Sequence, residues 1–148
     1  MVNKRALRRR IRRLEKQVKL IANSGFKFKP EIYTGTWSGW DLAVNRNGPV
    51  RTFKKVVLSC DQNGSLQGTV SWQAFGDPLG FDATQGAVAS DSEEVIGLVE
   101  TSTGAVLLVE KEEAGTFKGS VLPDGSLRLR QTQPGQQPVV AVMHLSRS

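Results

Sequence analysis

The chain has 148 residues, with 20 Lys or Arg, 14 Asp or Glu and a formal net charge of +6 at pH 7. That length suits one ordinary domain with a short appendage, and the single cysteine, Cys60, excludes an internal disulfide framework. The basic start lacks the apolar run of a signal peptide, and no stretch is apolar for long enough to span a membrane. We therefore expect a cytoplasmic or virion protein, not a secreted one.

The first thirty residues concentrate the positive charge. They hold eleven basic side chains and one acid, Glu15, whereas the other 118 residues hold nine basic and thirteen acidic ones, so the two parts carry +10 and −4. Such asymmetry favours a polyanion or an acidic partner for the basic part. The residues predicted to contact nucleic acid or another polyanion are Lys4, Arg5, Arg8, Arg9, Arg10, Arg12, Arg13, Lys16 and Lys19.

The same segment has the periodicity of an amphipathic helix, which we place at residues 1–24. Its apolar residues recur in alternating steps of four and three, as they do along the contact line of a coiled coil. They form the predicted oligomerisation stripe, namely Leu7, Ile11, Leu14, Val18 and Ile21. The alternative is a single helix folded against its own domain. Like-charged pairs one turn apart, such as Arg8 and Arg12, disfavour bundling unless an anionic partner is bound.

After the helix, Asn23-Ser24-Gly25 supplies a stop signal, and residues 25–31 are predicted to be an extended linker. Residues 32–148 consist of short β-branched runs separated by turn residues, which predicts strands. We expect eight, at about 32–42, 52–60, 66–74, 94–101, 105–112, 116–122, 126–133 and 138–147.

Five of the seven connections between these strands are short and contain Gly, Asn or Asp, so they can only join antiparallel neighbours. Eight meandering strands avoid exposed edges most simply by closing into a barrel. The predicted fold class is therefore mainly β, an eight-stranded up-and-down antiparallel barrel preceded by a basic helix. Several strands are apolar on both faces, and we expect subunit contacts to cover the outside.

Residues 33–39, Tyr-Thr-Gly-Thr-Trp-Ser-Gly, resemble the Gly-x-Trp opening of calycin barrels, the group that contains lipocalins and avidins. Residues 143–147 are similar to the last strand of that group. The resemblance implies that Arg147 covers Trp37 at one closed end of the barrel, but the tryptophan-rich biotin wall of avidins is missing and biotin binding is not implied. Three further motifs are similar to bacterial barrels of this type: Leu66-Gln67-Gly68-Thr69, Phe117-Lys118-Gly119-Ser120 and Pro123-Asp124-Gly125-Ser126-Leu127.

Catalytic chemistry is not indicated. The one histidine, His144, has apolar neighbours on its strand and is expected in the core or in an interface, and one Cys with one His cannot form a zinc site. No phosphate-binding loop or nucleophile elbow occurs. The carboxylates Glu93, Glu94, Glu110, Glu112 and Glu113 are interpreted as a solvated surface. We predict a protein that is not an enzyme and needs neither cofactor nor metal.

The long connection at residues 75–93 is acidic and rich in glycine, and it would lie at one mouth of the barrel. It can be a lid, a partner-binding arm or a plain surface loop. Its acidity also makes it a candidate dock for the basic helix of a neighbouring subunit.

Three functions remain open. The first is an oligomeric structural or binding protein, such as a virion or assembly component, whose helix engages nucleic acid through phosphates. The second is a protein–protein module in which a coiled-coil stem docks an acidic partner. The third is a small-ligand carrier of the lipocalin sort, which we consider disfavoured because large side chains are predicted to fill the barrel. They are Tyr33, Trp37, Trp72, Phe117, Leu127 and Leu129.

Overall fold

The computed structural model of the chain describes residues 3–22, 26–75, 87 and 89–148, with the side chains of residues 17–22 outside this description. The described residues form one α-helix, one 3₁₀ turn and eight strands. Their bounds are α1 (Lys4–Ala22), the 3₁₀ turn (Pro30–Tyr33), β1 (Gly35–Asn45), β2 (Gly48–Cys60), β3 (Ser65–Phe75), β4 (Ala89–Val99), β5 (Ala105–Glu110), β6 (Thr116–Val121), β7 (Leu127–Gln133) and β8 (Val139–Arg147).

The eight strands form a closed barrel in which each strand pairs antiparallel with its neighbour in sequence, and β8 pairs with β1. The predicted fold class is confirmed. Tight turns impose this order, because a connection of a few residues can only return the chain beside the strand it has left. Among the described residues, no helix is long and apolar enough to cross a membrane.

Two hairpins differ from the sequence prediction. Strands β1 and β2 extend to a tight turn at Arg46 and Asn47. Asn45 pairs with Gly48 there, and the Asn45 side-chain oxygen accepts the Asn47 N–H at 2.8 Å. Gly48 has a φ of +106°, a conformation that glycine adopts without strain. Strand β4 begins at Ala89, which pairs with Ala74, so the predicted long connection is partly strand; residues 76–86 and 88 of it lie outside the description.

The core fills one half of the barrel. Side chains that point inward from all eight strands pack there, and Trp37, Val56, Phe117, Leu129 and Met143 are almost completely buried. Gly119 faces inward where a Cβ would lie 1.8 Å from the carbonyl oxygen of Arg128, so only glycine allows the strands to approach so closely.

The 3₁₀ turn closes this packed end. Tyr33 is buried, and its hydroxyl donates to the Gly104 carbonyl at 3.3 Å. The Trp37 indole donates to the Gly125 carbonyl at 2.8 Å, and the Arg147 guanidinium lies 5.0 Å from the centre of the Trp37 ring. Arg147 also donates to the carbonyls of Glu31, Ile32 and Thr34. The last strand thus fixes the turn across the end of the barrel, by the contact that the calycin resemblance implied.

The outer wall carries exposed apolar side chains in register. On β4 and β5, Ile96 pairs with Val109 and Leu98 with Leu107, and all four are exposed. A second group lies where the barrel closes between β1 and β8, namely Leu42, Val44, Val140 and Val142. Contiguous apolar surface of this kind is typical of interaction sites.

Candidate functional site

Helix α1 begins at a capping residue. The Asn3 side-chain oxygen accepts the backbone N–H of Arg5 at 3.1 Å and that of Ala6 at 3.4 Å, which satisfies two donors that a helix start leaves unpaired. The helix contains no acidic residue in its first turn. The N-terminus of a helix carries a partial positive charge, and the arginines that follow add to it. This end of α1 is therefore strongly cationic.

All the basic side chains between residues 4 and 16 are exposed. In the described part of the chain the ion pairs join Lys54 to Asp41 and Lys111 to Glu94, and neither involves the helix. The predicted polyanion-binding residues on α1 therefore keep their charges available, apart from Lys19, whose side chain is outside the description.

The apolar stripe of α1 is also exposed where it is described. Leu7, Ile11 and Leu14 are 48%, 46% and 53% exposed. Val18 and Ile21 belong to the same predicted stripe, and their side chains are outside the description. Three large apolar side chains in one helical row are available for contact with another surface.

The end of the barrel opposite the packed core encloses a cavity of about 470 Å³. The prediction that large side chains fill the whole barrel is therefore wrong for this half, because small residues such as Ala43 and Ala74 replace them and the half-buried Trp72 only lines the wall. The volume is within the range of small-molecule sites, about 300–1,000 Å³.

Lys54 lines this cavity and belongs to a buried ion pair. The Lys54 ammonium donates to the Asp41 carboxylate at 2.8 Å and to the Thr52 hydroxyl at 2.9 Å, and Thr52 in turn donates to Asp41. The Lys54 and Asp41 side chains are only 3% and 1% exposed. Since the pair is desolvated and hydrogen-bonded, each charge depends on the other for its stability.

An acidic cluster lies in the same cavity wall. Each of Glu93, Glu110 and Glu113 places a carboxylate oxygen within 4.8 Å of one from each of the others, close enough to share one bound cation. Glu110 is buried, so its interpretation as solvated surface was wrong; Glu113 is exposed and Glu93 is half-buried. Burial, followed by the charges of Glu93 and Glu113, raises the pKa of Glu110 from 4.5 to about 7.

Glu110→Gln is expected to stabilise the protein above pH 7. Folded Glu110 keeps its proton up to about pH 7 while the unfolded chain loses it near 4.5. The stability that Glu110 contributes is thus present at low pH and is lost as pH rises through 7. At pH 8 the free energy of unfolding of the variant is expected to exceed that of the original chain by about 2 kcal/mol, a value that allows for solvent in the open cavity. Urea unfolding of both proteins from pH 5 to pH 8 measures this difference. If the stability of the variant depended on pH as that of the original chain does, the prediction would be contradicted.

The single histidine lies on the outer wall and not in the core. His144 is exposed, and its Nε2 is 3.0 Å from the Ser126 hydroxyl. Asp124 accepts hydrogen bonds from the backbone N–H and the hydroxyl of Ser126, and these lower the pKa of Asp124. The aspartate therefore contacts the serine and not the histidine, which is not the order of contacts in a catalytic triad.

Sequence reasoning missed Lys54 and Gln131 as cavity residues and Asp41 as the buried partner of Lys54. A usable signal existed, since Val106, Leu108 and Glu110 alternate along β5, as do Lys54, Val56 and Leu58 along β2, and alternation places a polar residue on the inward face. The grouping of these polar positions at one end depends on the register of strands distant in sequence.

No protein-family model matches the chain, and no curated protein matches it. The candidate functions consequently depend on the geometry of the helix and the barrel.

Proposed function

We propose that the chain is a non-enzymatic, oligomeric structural or binding protein whose helix α1 engages a polyanion, with nucleic acid as the first candidate. One observation carries the proposal. The basic side chains of residues 4–16 are exposed, and none of them forms an ion pair with a described residue. A polyanion relieves the repulsion between arginines one turn apart, such as Arg9 and Arg13. A virion or another nucleic-acid assembly would use the barrel as its shell or decoration.

Contacts to phosphates suit this helix better than contacts to bases. Its cationic residues are mostly arginines, and no aromatic side chain is interleaved with them to stack on bases. Binding should therefore be strong at low salt and indifferent to sequence.

The test is fluorescence anisotropy of the full chain with unrelated DNA and RNA oligonucleotides over a range of salt concentrations. If about six side chains of α1 neutralise phosphates, affinity for double-stranded DNA falls on the order of a thousandfold between 50 and 200 mM salt. Affinity independent of salt, or confined to one oligonucleotide sequence, would refute phosphate-mediated binding.

The oligomeric part of the proposal is supported by the exposed stripe of α1 and by the paired apolar residues on the outer wall, such as Ile96 with Val109. Short coiled-coil pairing of the stripe would bring several basic helices together on one polyanion. The alternative is a protein–protein module in which the same stem docks an acidic protein. A fixed oligomer that does not bind nucleic acid at any salt concentration would favour it.

A second candidate function is small-ligand binding by a calycin-like barrel. The specific observation in its favour is the cavity of about 470 Å³ at the open end. A calycin relationship is supported by the antiparallel closed barrel and by the contact of Arg147 with Trp37 at the packed end. This function and polyanion binding use different parts of the chain, so both can belong to one protein.

A further inference from the structure

Two hydrogen-bond acceptors in the cavity wall lack partners. In the described part of the chain, Glu110 Oε2 and Gln131 Oε1 are the buried side-chain polar atoms without a hydrogen bond. Glu110 is 7% exposed and Gln131 is 6% exposed, and both line the cavity. Buried acceptors are normally paired, because leaving one unpaired is costly. Both atoms therefore indicate a molecule that donates hydrogen bonds inside the cavity.

The charge of the wall indicates the sign of that molecule. Glu93, Glu110 and Glu113 lie together, and Asp91 lines the same cavity. Among the described residues, two cations also line it. Lys54 pairs with Asp41, and the Arg46 guanidinium donates to the Gln136 carbonyl at 2.8 and 2.9 Å, so Arg46 alone stands against the four acidic side chains. The acidic wall thus has an excess of negative charge, which a positive group would offset.

The remaining lining indicates the size of that molecule. A bare metal ion would occupy a small part of about 470 Å³ and would not use the apolar surface. Trp72 offers an aromatic surface, and small apolar side chains line the same cavity, namely Ala43, Val50, Ala74 and Val139. An organic cation fits both surfaces, because its body can contact the apolar side chains while its charged group faces the carboxylates.

We propose that the open end of the barrel binds a small organic cation with N–H donors, an amine or an amidine or guanidine, with its charged group against Glu93, Glu110 and Glu113 and its body against Trp72. The N–H groups would supply the donors that Glu110 Oε2 and Gln131 Oε1 lack. This inference deepens the small-ligand function and rests on it, and it is independent of polyanion binding by α1.

The test uses the full chain at pH 8 and two cationic probes, tryptamine and benzamidine, each at millimolar concentration. Their neutral counterparts, tryptophol and benzamide, are the controls, and calcium chloride is tested in parallel. We expect at least one cationic probe to raise the thermal midpoint and to bind in a calorimetric titration, while its neutral counterpart does neither.

A matched pair of variants assigns the effect to the cavity. Glu110→Gln keeps the shape of the side chain and is expected to weaken binding of the cationic probe about tenfold, the equivalent of one lost charge-assisted contact. Glu94→Gln makes the same change one residue from Glu93, on the outer face, and is expected to leave binding within about twofold. Glu94 is exposed and pairs with Lys111 outside the cavity.

Binding should also depend on pH. Asp91 and Glu93 of β4 and Glu113 of the β5–β6 loop face Glu110, and Lys54, which is paired with Asp41, lines the same cavity. Because the pKa of Glu110 is raised to about 7, we expect affinity for the cationic probe to fall about tenfold from pH 8 to pH 6 in the original chain. In Glu110→Gln this fall should be smaller.

Three outcomes would overturn the proposal, and they differ in their consequence for the small-ligand function. If cationic and neutral probes bind equally well, the cavity accepts ligands but does not select cations. If neither kind binds and calcium stabilises the chain through Glu110, the cluster is a metal site. If no probe has any effect, water satisfies the unpaired acceptors, and the small-ligand function fails with the proposal. Polyanion binding is unaffected by all three.

Discussion

Lys54→Met is expected to lower the free energy of unfolding by about 3–5 kcal/mol at pH 7. The substitution removes the ammonium that donates to Asp41 and Thr52 and leaves the Asp41 carboxylate, whose side chain is 1% exposed, without its counter-charge. The length of the side chain is nearly retained, so lost packing contributes little. The cost arises from the unpaired buried charge.

Two controls separate this cause from a general effect of losing lysine. Lys55→Met changes the next residue, which is exposed on the outer face, and is expected to alter stability by less than about 0.5 kcal/mol. The double variant Lys54→Met with Asp41→Leu removes both charges and should recover much of the loss. Chemical denaturation measures all three. If Lys54→Met were as stable as Lys55→Met, the ion pair would not contribute to the stability of the barrel.

Replacement of four arginines of α1 by glutamine is expected to reduce affinity for double-stranded DNA at least a hundredfold at about 0.15 M salt. Each lost phosphate contact also lowers the slope of log K against log salt by about 0.9, so the slope should fall by up to about 4. Glutamine retains helix propensity, which keeps α1 intact. The substituted residues are Arg8, Arg9, Arg12 and Arg13.

The matched control removes four positive charges from the outside of the barrel instead. These exposed residues are Lys111, Lys118, Arg128 and Arg130. If α1 is the binding surface, this variant should keep most of the salt slope and lose far less affinity. Should it lose as much affinity as the helix variant, the polyanion-binding surface would have to be assigned to the barrel wall as well.

The barrel could be predicted from the sequence because its determinants are local. Alternation such as Leu127, Leu129 and Gln131 against Arg128 and Arg130 identifies one inward face. Turns such as Pro123-Asp124-Gly125 fix most strands beside the next, so most of the order β1 to β8 follows without long-range information. The two strands of the β1–β2 hairpin were predicted to stop too far from the turn. The turn lies between Val44 and Val50, and its length depends on the conformation of Gly48.

The candidate site in the barrel depends on the register between paired strands, and a local sequence pattern does not give that register. Asp41 and Lys54 are brought together by the register of β1 with β2. Glu93 and Glu110 approach each other across β4 and β5, while Glu113 joins them from the following loop. In the sequence these carboxylates stand beside Lys111 and Glu112, which favoured a solvated surface until burial of Glu110 showed otherwise.

The proposed protein is a cationic helix that needs an external counter-charge and a barrel that presents this helix as an oligomer. Multi-angle light scattering of the full chain, with absorbance read at 260 and 280 nm, tests both parts in one run. We predict an oligomer that carries nucleic acid at low salt, shown by a raised 260/280 ratio, and releases it at high salt. A monomer whose absorbance ratio equals that of protein alone under both conditions, even after incubation with DNA or RNA, would contradict the account.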